Sequence, residues 1–116
     1  MQAYYDLIHS ETRDGFLIIV DQCAEDLSIS DMFDDSCHDI IDLEDKVRRG
    51  IYEWFTLRVR VMVSGHELAS EYLGGCMYAD CEEVMKDGTA EDLIQEALST
   101  ARKEVQRLRD VLAVLA

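Results

Sequence analysis

Four cysteines (Cys23, Cys37, Cys76, Cys81) and three histidines (His9, His38, His66) are the side chains most able to do chemistry in this chain. A structural zinc ion needs four ligands converging tetrahedrally, and its usual signatures are C-x2-C or H-x3-5-H pairs. Cys76 and Cys81 are spaced C-x4-C and Cys37 runs directly into His38, so neither signature is present and no metal site is expected. A cysteine nucleophile needs a neighbouring base that lowers its pKa. The histidines are scattered, so the cysteines read as reduced thiols serving as small buried hydrophobes. Paired carboxylates can cleave glycosidic bonds, but with 25 acidic residues the nearness of two specifies little. The stretch "DMFDDSCHDIID" puts Phe33 where a calcium loop wants a ligand and lacks its glycine, leaving at most weak cation binding. Gly74-Gly75 is too isolated for a phosphate loop and reads as a bulge or a tight strand exit. No catalytic residue, cofactor or enzymatic activity is expected.

The acidic residues are the stronger signal. From Asp21 to Asp45 there are ten acids and no Lys or Arg, which is −10 of a net −14. Like charges gathered so closely repel one another and cost stability, and a need for solubility alone is met by spreading them. One physical use of the concentration is to present carboxylates at a density like that of a duplex, about one charge per 1.7 Å of axis. Such a surface steers onto a basic groove and blocks nucleic acid there. The candidate partner-binding residues are Asp31, Asp34, Asp35, Asp39, Asp42, Glu44 and Asp45. The competing explanation is a solvated acidic face with no partner. An apolar patch around Trp54 and Met62 is an alternative contact surface.

Length and composition set the frame. A chain of 116 residues, 48% hydrophobic, makes one domain, 1–116, with a single core. The balance of 11 basic to 25 acidic residues argues against direct contact with nucleic acid or an anionic membrane. No run approaches the ~18 apolar residues of a membrane span. "MQAYYDLIHS" has neither the basic start nor the apolar run of a secretory signal, so the cytoplasm is the expected compartment.

The elements that must position these residues can be read locally. "AYYDLIHS" and "FLIIVDQC" flank an Asp-Gly turn and read as a hairpin. Its second strand is apolar on both faces, hence central. Ser36 or Asp39 is placed to cap a helix through "IIDLEDKVRRG", with Ile40, Leu43 and Val47 on one face, cations in the last turn and Gly50 as the stop. "IYEWFTLRVRVMVSG" alternates, with Phe55, Leu57, Val59, Val61 and Val63 on one side and Trp54, Thr56, Arg58, Arg60 and Met62 on the other, as a half-buried strand does. "SGHE" turns it into a further strand, "LASEYLGG", and "DCEEVMKDG" reads as a short helix. Thr89 and Asp92 resemble a capping box opening a last helix. Ile94, Leu98, Ala101, Val105, Leu108, Leu112 and Leu115 recur at heptad spacing. Some 26 residues at about 1.5 Å each span nearly 40 Å, more than a domain of this size covers, so this helix has the length to overhang its sheet, and two readings stand: its tail finishes the core, or it pairs with a partner copy. Val105, Leu108, Leu112 and Leu115 are the candidate dimerisation residues. The fold expected is α+β, an antiparallel sheet of about four strands packed by a long C-terminal helix, plus one shorter helix.

The motifs "EWF" leading into the long strand, "YLGGCMY", and the acidic entry "DLSISDMFDD" resemble those of a group of small acidic phage and prophage proteins that have no assigned activity. The resemblance covers most of the chain. It implies a fold and carries over no catalytic residue. By analogy of size and charge it points to anti-CRISPR and anti-restriction inhibitors, several of which imitate DNA. The function so implied is a non-enzymatic inhibitor that occupies the nucleic-acid-binding groove of a basic host protein such as a CRISPR effector or restriction nuclease. The alternative is a homodimeric assembly protein whose acidic surface only confers solubility.

Overall fold

The computed structural model describes residues 4–32 and 39–115. The elements run β1 (Asp6–Arg13), β2 (Phe16–Ala24), α1 (Ile29–Met32), α2 (Ile40–Arg48), β3 (Glu53–Val63), β4 (His66–Tyr78), a 3-10 helix (Cys81–Met85) and α3 (Thr89–Leu115). The four strands form one antiparallel sheet in the order β1-β2-β3-β4, an α+β meander with α3 packed on one face. Both hairpin turns place positive φ where short side chains or glycine tolerate it: Asp14 and Gly15 at 55° and 85°, Ser64 and Gly65 at 49° and 80°.

Register explains which residues meet the helix. In β3, Phe55, Leu57, Val59 and Val61 point under α3 and are buried together with Ile18 and Val20 of β2. Ala90, Leu93, Ile94, Ala97, Leu98 and Ala101 of α3 close this core from above. Val63 continues the alternation but lies beyond the covered region and is exposed. The ladder between β3 and β4 shifts between Phe55 and Leu57, opposite Leu73–Cys76, so Gly74-Gly75 does form a bulge. At Gly75, φ is +69° and an added Cβ would lie 2.7 Å from Met32 Cε.

Helix α2 is capped by Asp39, whose carboxylate accepts the Asp42 N–H at 3.1 Å. Ser36, the other candidate cap, lies outside the described residues. The capping box at Thr89 does not form. The Asp87 carboxylate accepts the Thr89 N–H at 3.0 Å, while the Thr89 hydroxyl meets the Tyr78 hydroxyl at 2.9 Å. Tyr78 also donates to Asp87 at 2.6 Å, which ties the end of β4 to the start of α3. Lowered by that bond and by the Thr89 contacts, the Asp87 carboxyl stays ionised further into acid than usual.

Helix α3 progresses from Tyr78 at one end of the sheet, past Glu71 (reached by Thr100), toward the two hairpin turns, where Arg102 pairs with Asp14 at 2.9 Å. It then continues past the sheet. The radius of gyration of 17.3 Å and the longest extent of 61 Å record the overhang, since a compact chain of this length has a radius near 13 Å.

Candidate functional site

A four-stranded meander sends every second connection to the same end of the sheet. The β2–β3 connection, which carries α1 and α2, and the exit from β4 through the 3-10 helix both lie at the end opposite the hairpin turns. Two acidic segments far apart in sequence are thereby neighbours. Among the described residues from Glu25 to Glu53 and from Asp80 to Asp87 there are 12 acids and only four bases, Lys46, Arg48, Arg49 and Lys86. Glu53 joins the segments, its carboxylate accepting the Cys81 N–H at 2.5 Å. Asp80 caps the same 3-10 helix through the Glu82 N–H at 3.0 Å.

The candidate residues read from the sequence divide into three groups. Asp34 and Asp35 lie outside the described residues. Asp42 pairs with Lys46 at 2.9 Å, and Asp45 pairs with Arg48 and with Arg49, the latter at 3.4 Å, so these two carboxylates are compensated within their own helix. Asp39 is spent on its cap and Asp31 on the Ser28 hydroxyl at 2.8 Å, though both remain exposed. Glu44 is exposed. The stretch from Asp21 to Asp45 is therefore not one uniform acidic face. Sequence reading missed Glu53, Asp80, Glu82, Glu83 and Asp87, because nothing local says that the β4 exit returns beside Glu53 at the start of β3. The meander order, once known, does.

Two acids of the stretch are built into the sheet instead. Asp21 is buried on the face away from α3 and receives Arg58, with Arg60 at 3.5 Å. The Arg58 guanidinium lies 3.4 Å from the Tyr5 ring centroid. Glu25 collects the Thr56 hydroxyl, the Gly75 N–H at 3.1 Å and the Leu27 N–H at 3.4 Å, which hold its pKa below the ordinary carboxylate range. The same corner is closed by Trp54, whose indole N–H donates to the Leu27 carbonyl at 2.8 Å. Trp54 and Met62 share the face away from α3 and are both half-buried, so the apolar patch expected there is partly covered.

Glu53, Asp80 and Cys81 bring three possible ligand atoms within 4.8 Å of one another. Two of them already serve as helix-start acceptors. Burial, followed by the Glu53 charge, pushes the Cys81 thiol up to about 11, so it is a neutral thiol at pH 7. Burial also raises Cys76. Cys37 lies outside the described residues.

Comparison with family models, curated proteins and solved structures gives no match. No described helix is long and apolar enough to cross a membrane.

Proposed function

We propose that the protein is a non-enzymatic inhibitor that docks its acidic end into the basic, nucleic-acid-binding groove of a partner, of the kind a host defence nuclease or CRISPR effector presents. The observation that carries this reading is the convergence of the α1–α2 connection and the β4 exit at one end of the sheet. That end holds an excess of eight negative charges among the described residues, and the helix tail from Arg102 to Leu115 holds four bases against two acids. A charge dipole of this kind orients the molecule as it approaches a cationic cleft, and the approach weakens as salt rises. Asp31, Glu44, Glu82 and Glu83 are four exposed acids with no ion pair among the described residues, and they replace the compensated Asp42 and Asp45 as the main contacts.

The test is affinity capture from host lysate at low and then high salt, with the native chain and with a variant carrying Asp31, Glu44, Glu82 and Glu83 all changed to Lys. The reading expects a nucleic-acid-binding protein held by the native chain alone, released by salt, and unable to bind DNA or RNA while held. Equal capture by the variant, or a captured partner that still binds its nucleic acid, overturns it. The homodimeric assembly reading is favoured by one observation, the uncovered half of α3.

A further inference from the structure

The heptad stripe of α3 changes environment along its length. Ile94, Leu98 and Ala101 are buried against the sheet, whereas Leu108, Leu112 and Leu115 are 38%, 62% and 77% exposed. Val111, 46% exposed, widens the apolar strip. No Gly or Pro interrupts the helix between Thr89 and Leu115, so the tail has no hinge by which to fold back onto its own body. Spacing that alternates 4 and 3 is the pattern by which one helix receives another.

We propose that the overhanging half of α3 is a self-association surface, on which two copies pair tail to tail with their helices antiparallel. The direction follows from sterics. The exposed strip continues the strip that faces β3 and β4, so a parallel second helix would run into the space those strands hold. An antiparallel helix covers the tail alone. The register follows from coverage. The apolar strip beyond the sheet runs from half-buried Val105 to exposed Leu115, and pairing that covers all of it has its twofold axis near residue 110. Leu108 then meets the partner's Leu112, Val105 meets the partner's Leu115, and the two Val111 side chains sit side by side.

Size and charge fix the strength. About three helical turns from each copy bury less than the ~1,000 Å² of a stable interface, so the dimer dissociates on dilution. Arg109 lies beside its own symmetry mate, and each body carries −14. Screening relieves both repulsions, so association strengthens with salt. A head-to-tail contact, with the acidic end of one copy on the Arg102, Lys103, Arg107 and Arg109 flank of the next, would weaken with salt instead. The inference does not rest on the docking of the acidic end, which has the opposite salt dependence.

The experiment is sedimentation equilibrium of the full chain from about 10 µM to about 1 mM, the range of a weak interface, at low and high salt. The expected result is a mass that rises toward the dimer with concentration, and more so at high salt. Leu108→Glu with Leu112→Glu should stay monomeric with an unchanged melting curve, because both positions are exposed in the monomer. Under mild oxidation, measured against the native thiols as background, Val111→Cys should form a disulfide dimer and Leu115→Cys should not. A native chain monomeric across the range, association that salt weakens, or efficient cross-linking through Leu115→Cys would overturn the proposal.

Discussion

Asp21 receives Arg58 through Nε at 2.8 Å and Nη2 at 2.6 Å, a bidentate pair 37 residues apart in sequence and directly opposed across β2 and β3. Asp21 is 3% exposed, and the pairing holds the guanidinium even further above its ordinary pKa. Two arginines lean on this one acid, with Arg60 the less well satisfied: its Nε is buried without a hydrogen-bond partner.

Removing the acid therefore strands two partly buried cations. Asp21→Ala should cost about 3–5 kcal/mol, the range for breaking a buried pair from one side. Replacing Asp21, Arg58 and Arg60 together by Leu, Met and Leu should recover most of that loss, since well-packed apolar residues often match a buried ion pair. Urea unfolding followed by Trp54 fluorescence measures both. An Asp21→Ala cost below about 1 kcal/mol, within the range of surface pairs, would contradict a structural role for the pair.

The Glu25 corner supports the acidic end. Glu25→Ala leaves the Gly75 N–H and the Thr56 hydroxyl without their acceptor and should cost about 1–3 kcal/mol. Gly75→Ala acts at the same place from the other side. It forces a Cβ toward Met32 at a residue with φ +69°, so it should displace Met32 and shift Trp54 emission as the α1 contact loosens. Unchanged emission and unchanged stability in Gly75→Ala would show that α1 is not anchored there.

Arg13 donates to Glu91 at 2.7 Å and 3.0 Å, clamping the β1–β2 turn to α3. With the Arg13 hydrogen bond first among its causes, the Glu91 pKa falls to about 2. A carboxylate depressed in the folded state contributes stability that is present above its unfolded pKa, near 4.3, and is lost as pH falls toward about 2. Because Glu91 is half exposed, solvent screening limits the contribution to about 0.5 kcal/mol. Stability measured from pH 6 down to about pH 2 should therefore fall more steeply for the native chain than for Glu91→Gln, and parallel curves would exclude the clamp.

Cys81 should resist alkylation at neutral pH. Its pKa of about 11 leaves little thiolate at pH 8. Glu53→Gln removes the nearby charge and one hydrogen bond, so labelling by iodoacetamide, followed by peptide mass spectrometry, should be faster in that variant. Equal rates would mean that burial alone sets the reactivity.

Local chemistry made much of the fold legible. Strict alternation from Phe55 to Val61 reports a strand with one buried face, because side chains in an extended chain point alternately to opposite sides. The Asp-Gly turn, the Asp39 cap and the Gly50 stop are conformational preferences of a few consecutive residues, and each appears where the sequence places it. The length and heptad spacing of α3 allowed either a tail that finishes the core or one that overhangs, and the exposure of Leu112, Val114 and Leu115 decides for the overhang. Misreadings occurred where a tertiary contact competed with a local one. Thr89 looks like a helix cap until Tyr78 takes its hydroxyl, leaving Asp87 to receive the backbone N–H.

The charge map belonged to the tertiary structure. Asp21 reads as one more acid in a run of ten until strand register sets it opposite Arg58. The Asp42–Lys46 and Asp45–Arg49 pairs are helix neighbours four residues apart, but their weight against the acidic run depends on the helix forming. Glu53 and Asp80 share one end only because an antiparallel meander returns every second connection to the same side. Sequence period determines which face of an element is apolar, since that is a property of a few bonds. Which distant charges neutralise or reinforce one another depends on strand register and connection order, which only the packed chain decides.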